Sequence, residues 1–266
     1  MPPGAAEAQP QAASGAPARG LPPEAAERVL ARLAGLAPSP VLRRRLEGAV
    51  PLLAALAPPP ADAPLSLLDS PAWAALLDAV TVQETRLFRA ASQITALADR
   101  LPSLPGAPRL LSAGCATGEE AWTLAVLAAV AGLPAEIVGI DLCRPALAAA
   151  AAGRFGTGPP DPMREVPPAY RSCFRPCGDW IEPLAPAPRF RRANLLDLPE
   201  DLGLFGAILC RNVLIYLLPQ ARAEVLRGLV DHLLPGGLLL LGPTDAPGPE
   251  LPLRPEAGAP GTWRRK

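Results

Sequence analysis

The sequence predicts an α/β protein: a doubly wound, mostly parallel sheet preceded by a small all-α module. Three observations carry that prediction. From about residue 106 onward, short continuously apolar runs alternate with longer helical patterns, as expected when parallel strands are covered on both faces. The first such run opens into a turn with two glycines and then a helix, the place where these sheets receive nucleotide-like ligands. Residues 23–80, by contrast, show only helical periodicity.

The elements follow in order. Residues 1–22 are rich in Ala, Pro, Gly and Gln without a hydrophobic period, and read as a disordered tail. EAAERVLARLAGL then puts Ala26, Val29, Leu30, Leu33 and Leu36 on one helical face. SPVLRRRLEGAVPLLAALA gives a second helix with a break expected at Pro51, PPPADAP at 58–64 is a linker, and helical patterns resume at 65–69 and 71–80. The α module therefore spans 23–80 and the sheet domain 81–266. Strands are expected at Arg109–Ala113, Glu136–Asp141, Phe205–Cys210 and Leu238–Leu241, and helices at Gly118–Ala131, Pro145–Ala152 and Gln220–Leu234. Pro235-Gly236-Gly237 reads as a tight turn before the last of those strands. A terminal hairpin is expected near Glu250–Glu256 and Thr262–Arg265, and residues 156–192 read as an irregular Pro- and Arg-rich insertion with a reduced β subdomain.

Composition removes several function classes. With 25 basic and 25 acidic residues in 266, the net charge is +0, so no global field draws in nucleic acid or anionic lipid. Pro accounts for 37 residues, far above its usual share of about 5%, and the single Lys is Lys266. Arg and Pro are accordingly weak local signals in this chain. Five cysteines, an odd number without a C-x-x-C pair, suit incidental thiols in a reducing compartment better than zinc ligands or disulfides. The one histidine, His232, falls at a helix end. The N-terminus has no charged segment followed by an apolar core, and the longest apolar stretch, Ala121–Ala135, is shorter than the roughly 18 residues a membrane span needs. A cytoplasmic protein is expected.

The chemistry concentrates at predicted strand ends. After the first strand comes Ser112-Ala113-Gly114-Cys115-Ala116-Thr117-Gly118-Glu119-Glu120. Gly114 and Gly118 allow close approach of a ligand to the backbone. Asp141 closes the second strand just over twenty residues after Gly118, a carboxylate suited to two ribose hydroxyls. The turn lacks G-x-G-x-x-G, and its helix opens with Glu119 and Glu120, which would repel a pyrophosphate. S-adenosyl-L-methionine has ribose, adenine, an ammonium and a sulfonium but no phosphate, and suits this turn better. Arg211 and Asn212 sit at the tip of the strand before Val213-Leu214-Ile215-Tyr216, and Asn194 and Leu195 follow Arg192-Ala193; an Asn at that position suits an adenine edge.

The runs SAGCATGEEAWTLA, EIVGIDL, ANLLDL, FGAILCRNVLIYL and LLPGGLLLLG, in that order, resemble the CheR-type chemotaxis-receptor glutamate methyltransferases over roughly 81–266. The resemblance implies a class I S-adenosylmethionine-dependent methyltransferase fold with a seven-stranded sheet, and a small α domain before it. It implies that Glu120 contacts the methionine end of the cofactor, Asp141 the ribose, Asn194 and Leu195 the adenine region, and Arg211 and Asn212 the stretch near the methyl donor. A family motif T-N-x-T-x-F-F-R corresponds to Val82-Gln83-Glu84-Thr85-Arg86-Leu87-Phe88-Arg89, so Gln83, Thr85 and Arg89 join the cofactor set. Arg89 and Tyr216 are the side chains expected at the reacting carboxylate. The implied product is S-adenosyl-L-homocysteine. The implied partner is the cytoplasmic helical region of methyl-accepting chemotaxis proteins, with no nucleic acid, no membrane insertion, no metal and a monomeric enzyme.

Four departures from the family pattern stand out. Gln83 replaces the motif Asn, Leu87 its first Phe, Gly242-Pro243-Thr244-Asp245 a G-H-S-E run, and Ala121-Trp122 the Pro-Tyr after G-E-E. They leave open a CheR-like enzyme acting on another protein or a small molecule, and a non-catalytic adenosyl-ligand signalling module.

Overall fold

A computed structural model describes residues 20–106 and 108–266. The expected tail at 1–22 thus lies outside the described residues except for its last three. There, Leu21 is buried and its N–H donates to the carbonyls of Leu53 and Leu56, so order begins by residue 21.

The N-terminal module comprises α1 (Pro23–Leu33), α2 (Pro40–Gly48), α3 (Val50–Ala54) and α4 (Pro71–Val80), with a 3-10 turn at Leu65–Asp69. Ala26, Leu30 and Leu33 from α1 meet Leu42 and Leu46 from α2 and Trp73, Leu76 and Leu77 from α4 in a core of their own. The break in the second predicted helix falls at Ala49, and Pro51 lies in the first turn of α3. Pro23, Pro40, Pro71, Pro145 and Pro219 stand likewise in helix first turns. The missing N–H costs nothing there and the fixed φ is already helical. Much of the proline in this chain therefore opens helices instead of marking loops.

The segment 81–90 has no regular structure and leads into α5 (Ala91–Ala98). Then come β1 (Arg109–Ala113), α6 (Glu119–Val130), β2 (Glu136–Asp141), α7 (Arg144–Ala152), β3 (Phe155–Gly156), β4 (Phe174–Cys177), β5 (Trp180–Pro183), β6 (Arg189–Arg192), β7 (Phe205–Cys210), α8 (Pro219–Asp231), β8 (Leu233–Leu241), β9 (Leu253–Pro255) and β10 (Thr262–Arg265). Seven strands form the main sheet in the order β6-β2-β1-β7-β8-β10-β9. The first five are parallel, and β10 runs antiparallel to both of its neighbours, β8 and β9. Successive strand residues point to opposite faces: Leu110, Ala207, Leu209, Leu238 and Leu240 enter one core, and Leu111, Ile208, Cys210, Leu239 and Leu241 the other.

Three expectations are corrected. The insertion is not irregular: β3, β5 and β4 form a three-stranded antiparallel sheet, and Phe155, Val166 and Phe174 join the main core. Gly178, with φ +59°, makes the β4–β5 turn, while Pro176 lies on an outer strand where no ladder N–H is required. Residues 189–192, counted in the insertion, are the edge strand β6 of the main sheet. Finally, the Pro235-Gly236-Gly237 turn lies inside β8, as a bulge between the pairs Phe205↔Leu233 and Ala207↔Leu238. The strand therefore starts earlier and α8 ends earlier, at Asp231.

The module sits over the C-terminal ends of the parallel strands, held by polar sutures. Asp78 of α4 accepts from the backbone N–H of Arg144 and from its Nε, both at 2.8 Å, and so caps the start of α7. Arg192 donates to the Leu68 carbonyl at 2.8 Å and pairs with Asp69. Leu218 N–H donates to Gly35 O, and Ala37 N–H to Tyr216 O, each at 2.8 Å. The loop between α1 and α2 is thereby fixed beside the tip of β7.

Candidate active site

The strand tips, the segment 81–90 and the loop between α1 and α2 enclose a cleft of about 260 Å³. Gln83, Thr85, Arg89, Gly114, Glu120, Asp141, Asn194, Leu195, Arg211, Asn212 and Tyr216 all line it. Of the predicted site residues only Gly118 does not. Its φ is +92°, and a Cβ there would stand 2.9 Å from the Cα of Ala150. Gly118 is required for the close passage of the turn over α7, not for access to the cleft.

The first turn shapes one wall. Gly114, at φ +77°, leaves space that a Cβ would take from Val213, whose Cγ2 would be 2.5 Å away. The N–H groups of Gly114 and Cys115 both donate to Ile140 O, at 2.8 and 2.9 Å, which ties the turn to the end of β2. Asp141 extends that tie. Its Oδ2 accepts from Ala116 N–H and its Oδ1 from Cys143 N–H, each at 2.9 Å. Each oxygen keeps a lone pair for a ligand hydroxyl. Burial pushes the Asp141 carboxyl above its usual range, and the backbone N–H bonds from Cys143 and Ala116 partly oppose that rise.

Beside it lies a buried charge network. Ser112, fully buried on β1, donates from Oγ to Glu120 Oε1 at 2.7 Å. Arg211 Nη1 stands 3.4 Å from Glu120 Oε2, and Arg211 Nη2 donates to the carbonyl of Arg89. Burial pulls the Arg211 guanidinium below its ordinary value, and Glu120 acts against that shift. Arg211 thus reaches the cleft edge while its main contacts run to Glu120 and to the backbone of the 81–90 segment.

Asn194 is similarly engaged. Its Nδ2 donates to Leu33 O at 2.8 Å and its Oδ1 accepts from Leu196 N–H at 3.2 Å. Its amide therefore joins the α module to the sheet. Gln83 donates from Nε2 to Thr81 Oγ1 at 3.1 Å, whereas its Oε1 is buried and has no partner among the described residues. That acceptor suits a ligand N–H or ammonium.

Backbone strain clusters here. Among the described residues the non-glycine positions with positive φ are Phe88, Ala90, Ala116 and Asn212, and Phe88, Ala116 and Asn212 line the cleft. Each such residue costs about 1–3 kcal/mol and persists only where its surroundings impose it. Sequence reading missed several of those surroundings: Ser112 beneath Glu120, Thr123 of α6, whose Oγ1 accepts from Phe88 N–H at 3.1 Å, and Glu165 of the insertion, whose Oε2 accepts from Ala90 N–H at 3.2 Å. A polar Thr in the otherwise apolar middle of α6 was the one available sign.

A family model described as CheR methyltransferase, SAM binding domain, matches residues 83–248. The chain belongs to the CheR methyltransferase family. The matched domain is a methyltransferase domain with S-adenosylmethionine as cofactor, and acceptors on the cleft fit that molecule: Asp141 for hydroxyls, and Glu120 and the unpartnered Gln83 Oε1 for a cationic end. The chain is 33% identical to chemotaxis protein methyltransferase 1 of Pseudomonas aeruginosa over 191 residues, 64% of this chain and 69% of that protein. It is 30% identical to the chemotaxis protein methyltransferase of Vibrio parahaemolyticus over 186 residues, 65% of this chain and 68% of that protein. The probable biofilm formation methyltransferase WspC of Pseudomonas aeruginosa is 32% identical over 65% of this chain, which spans 44% of WspC. Among solved structures, SAM-bound CalS10, an amino pentose methyltransferase from Micromonospora echinaspora, aligns at 21% identity and TM-score 0.36 over 56% of this chain and 48% of that one. Among the described residues no helix is long and apolar enough to cross a membrane.

Proposed function

We propose that this protein transfers the methyl group of S-adenosylmethionine to glutamate side chains in the cytoplasmic helical region of methyl-accepting chemotaxis proteins, acting in the cytoplasm as a monomer. One observation carries the proposal: the state of the three guanidinium groups on the cleft. Arg86 is paired with Glu165, and Arg211 with Glu120. Arg89 gives one bond to the Glu84 carbonyl at 2.9 Å, and its nearest carboxylate oxygen, on Glu84, is 3.9 Å away. A guanidinium carries five N–H donors, so Arg89 retains a fork suited to an incoming carboxylate.

The chemistry asks little more of the chain. The bound cofactor supplies an activated methyl carbon on a sulfonium that departs as a neutral thioether. A glutamate side chain, with pKa about 4.3, is already anionic at neutral pH, so no general base is required. The lone histidine, His232, is in fact the C-cap of α8 and bonds Gly228 O. Glu120 holds the ammonium end and Asp141 the ribose hydroxyls, Arg89 orients the substrate carboxylate, and the Tyr216 hydroxyl gives it a second donor. The loop between α1 and α2 covers the cleft and limits water, which leaves alignment of oxygen with carbon as the main contribution.

The test is transfer of labelled methyl from S-adenosylmethionine to a purified chemoreceptor cytoplasmic fragment, followed by mild base. Label released as methanol is expected. Label retained through base, or absent while the cofactor still binds, would overturn the glutamate reading.

A further inference from the structure

Arg89 stands between two residues in left-handed backbone, Phe88 at φ 53° and Ala90 at φ 56°. Each residue of this turn is held from a different part of the molecule. Thr123 of α6 accepts from Phe88 N–H, Arg211 at the tip of β7 donates to Arg89 O, and Glu165 of the insertion accepts from Ala90 N–H. The same Glu165 carboxylate pairs through its other oxygen with Arg86. The Phe88 ring is buried against the insertion as well, 4.9 Å from the Tyr170 ring and edge-on to Phe174 at 6.4 Å.

We propose that Glu165 is a positioning residue for methyl transfer: from the insertion it fixes the Arg86–Ala90 turn and thereby the place from which Arg89 meets the substrate carboxylate. The inference rests on the reading of Arg89 given above. The physical reason is that Ala90 has no intrinsic preference for its conformation. An anionic acceptor on its N–H, anchored by a second contact to Arg86, selects that conformation. Without it, the turn relaxes toward ordinary backbone and the Arg89 guanidinium moves. Glu165 itself does not line the cleft, and Glu120 and Asp141 on the opposite wall keep their own supports from Ser112, Ala116 and Cys143.

The experiment uses the full chain and the variants Glu165→Ala, Glu165→Gln, Arg89→Ala and Glu165→Ala/Arg89→Ala. Turnover on the chemoreceptor fragment is measured together with S-adenosylhomocysteine affinity and amide hydrogen exchange at Ala90. Glu165→Ala is expected to lower kcat about tenfold or more, a loss typical of a misplaced catalytic group. Its S-adenosylhomocysteine affinity should stay near wild type while Ala90 exchange speeds up. Glu165→Gln keeps an acceptor for Ala90 N–H and should recover a large part of kcat. In the Arg89→Ala background, Glu165→Ala should add no further loss. If Arg89→Ala is crippled while Glu165→Ala turns over normally, the positioning role is wrong and the Arg89 reading survives. If Arg89→Ala itself turns over normally, the Arg89 reading falls and this role falls with it. Unchanged exchange at Ala90 in Glu165→Ala overturns the proposal whatever the substrate proves to be.

Discussion

On one wall of the cleft, Gly114, Glu120 and Asp141 stand at the ends of β1 and β2 or in the first turn of α6, and their geometry is set by the sheet itself. Ile140 O accepts two N–H groups from the turn, and Asp141 accepts two from backbone on either side of it. On the opposite wall, residues 81–90 form neither helix nor strand. Beside short local bonds such as Arg89 to the Glu84 carbonyl, their turn at 88–90 is held by groups that arrive from elsewhere: Thr123, Arg211 and Glu165. The first wall is supported locally and the second by tertiary contact. A local wall tolerates changes outside it, whereas a tethered wall transmits them. Two of the four departures from the family pattern, Gln83 and Leu87, lie on the tethered wall, and Leu87 is fully buried in the main core. The Leu there keeps the hydrophobic anchor while changing its shape.

Arg211 joins the two walls through its charge, pairing with Glu120 on one and donating to the Arg89 carbonyl on the other. Arg211→Leu leaves Glu120 buried without its cation, a loss of about 3–5 kcal/mol by the usual behaviour of broken buried pairs. A urea titration should show that destabilisation, and limited proteolysis should show new cleavage within 81–90. A variant as stable as wild type would mean that the walls are independent.

The next effect belongs to the local wall alone. Asp141→Ala should weaken S-adenosylhomocysteine binding by about 1.5–3 kcal/mol, the range for hydrogen bonds to a charged group, while the exchange of 81–90 amides stays unchanged. Calorimetric titration checks the first part, and a normal affinity would remove the ribose assignment. The same group predicts a pH dependence. Burial raises the Asp141 pKa above its ordinary value, with the Cys143 and Ala116 N–H bonds opposing. The native state therefore binds a proton more readily than the unfolded chain. This group's contribution to stability is fully present below the unfolded pKa and is lost as pH rises through the folded one. Cofactor affinity runs the other way: it should strengthen as pH rises through the folded pKa, where the accepting carboxylate forms. Asp141→Asn should flatten that dependence, and an unchanged slope in the variant would assign it to another group.

What could be read from the sequence divides along the same line. β1, β2 and β7 were legible to the residue because buried parallel strands are continuous apolar runs, and Glu120 and Asp141 follow from their ends. β6 was not, because an edge strand of sequence Arg-Phe-Arg-Arg carries its signal in Phe190 alone while Arg189 and Arg191 pair with Glu136 and Asp201 at the surface. In the insertion a reduced β subdomain was expected, but its strands could not be placed, because Pro176 and Pro183 interrupt the pattern at an outer position and a strand end that accept them. Glu165 had no local signature at all, since its partners lie some 75 residues away in the chain and only the tertiary fold brings them together.

The smallest effect gives the sharpest discrimination. Asn194 was expected to meet the adenine edge, yet its amide donates to Leu33 O at the end of α1, and its carbonyl accepts from Leu196 N–H. If the suture between module and sheet is its main duty, Asn194→Ala should lower stability by about 0.5–1.5 kcal/mol, the net value of one ordinary hydrogen bond. Cofactor affinity should then change by less than about threefold, under 1 kcal/mol. A direct adenine contact reverses the pattern: affinity drops about tenfold or more while the urea midpoint hardly moves. The second Nδ2 hydrogen is the only donor that the Leu33 contact leaves available, so a mixed result would assign that one N–H to the ligand. In that case the α module is itself part of the cofactor site, because the residue that reads the adenine is positioned by the last carbonyl of α1.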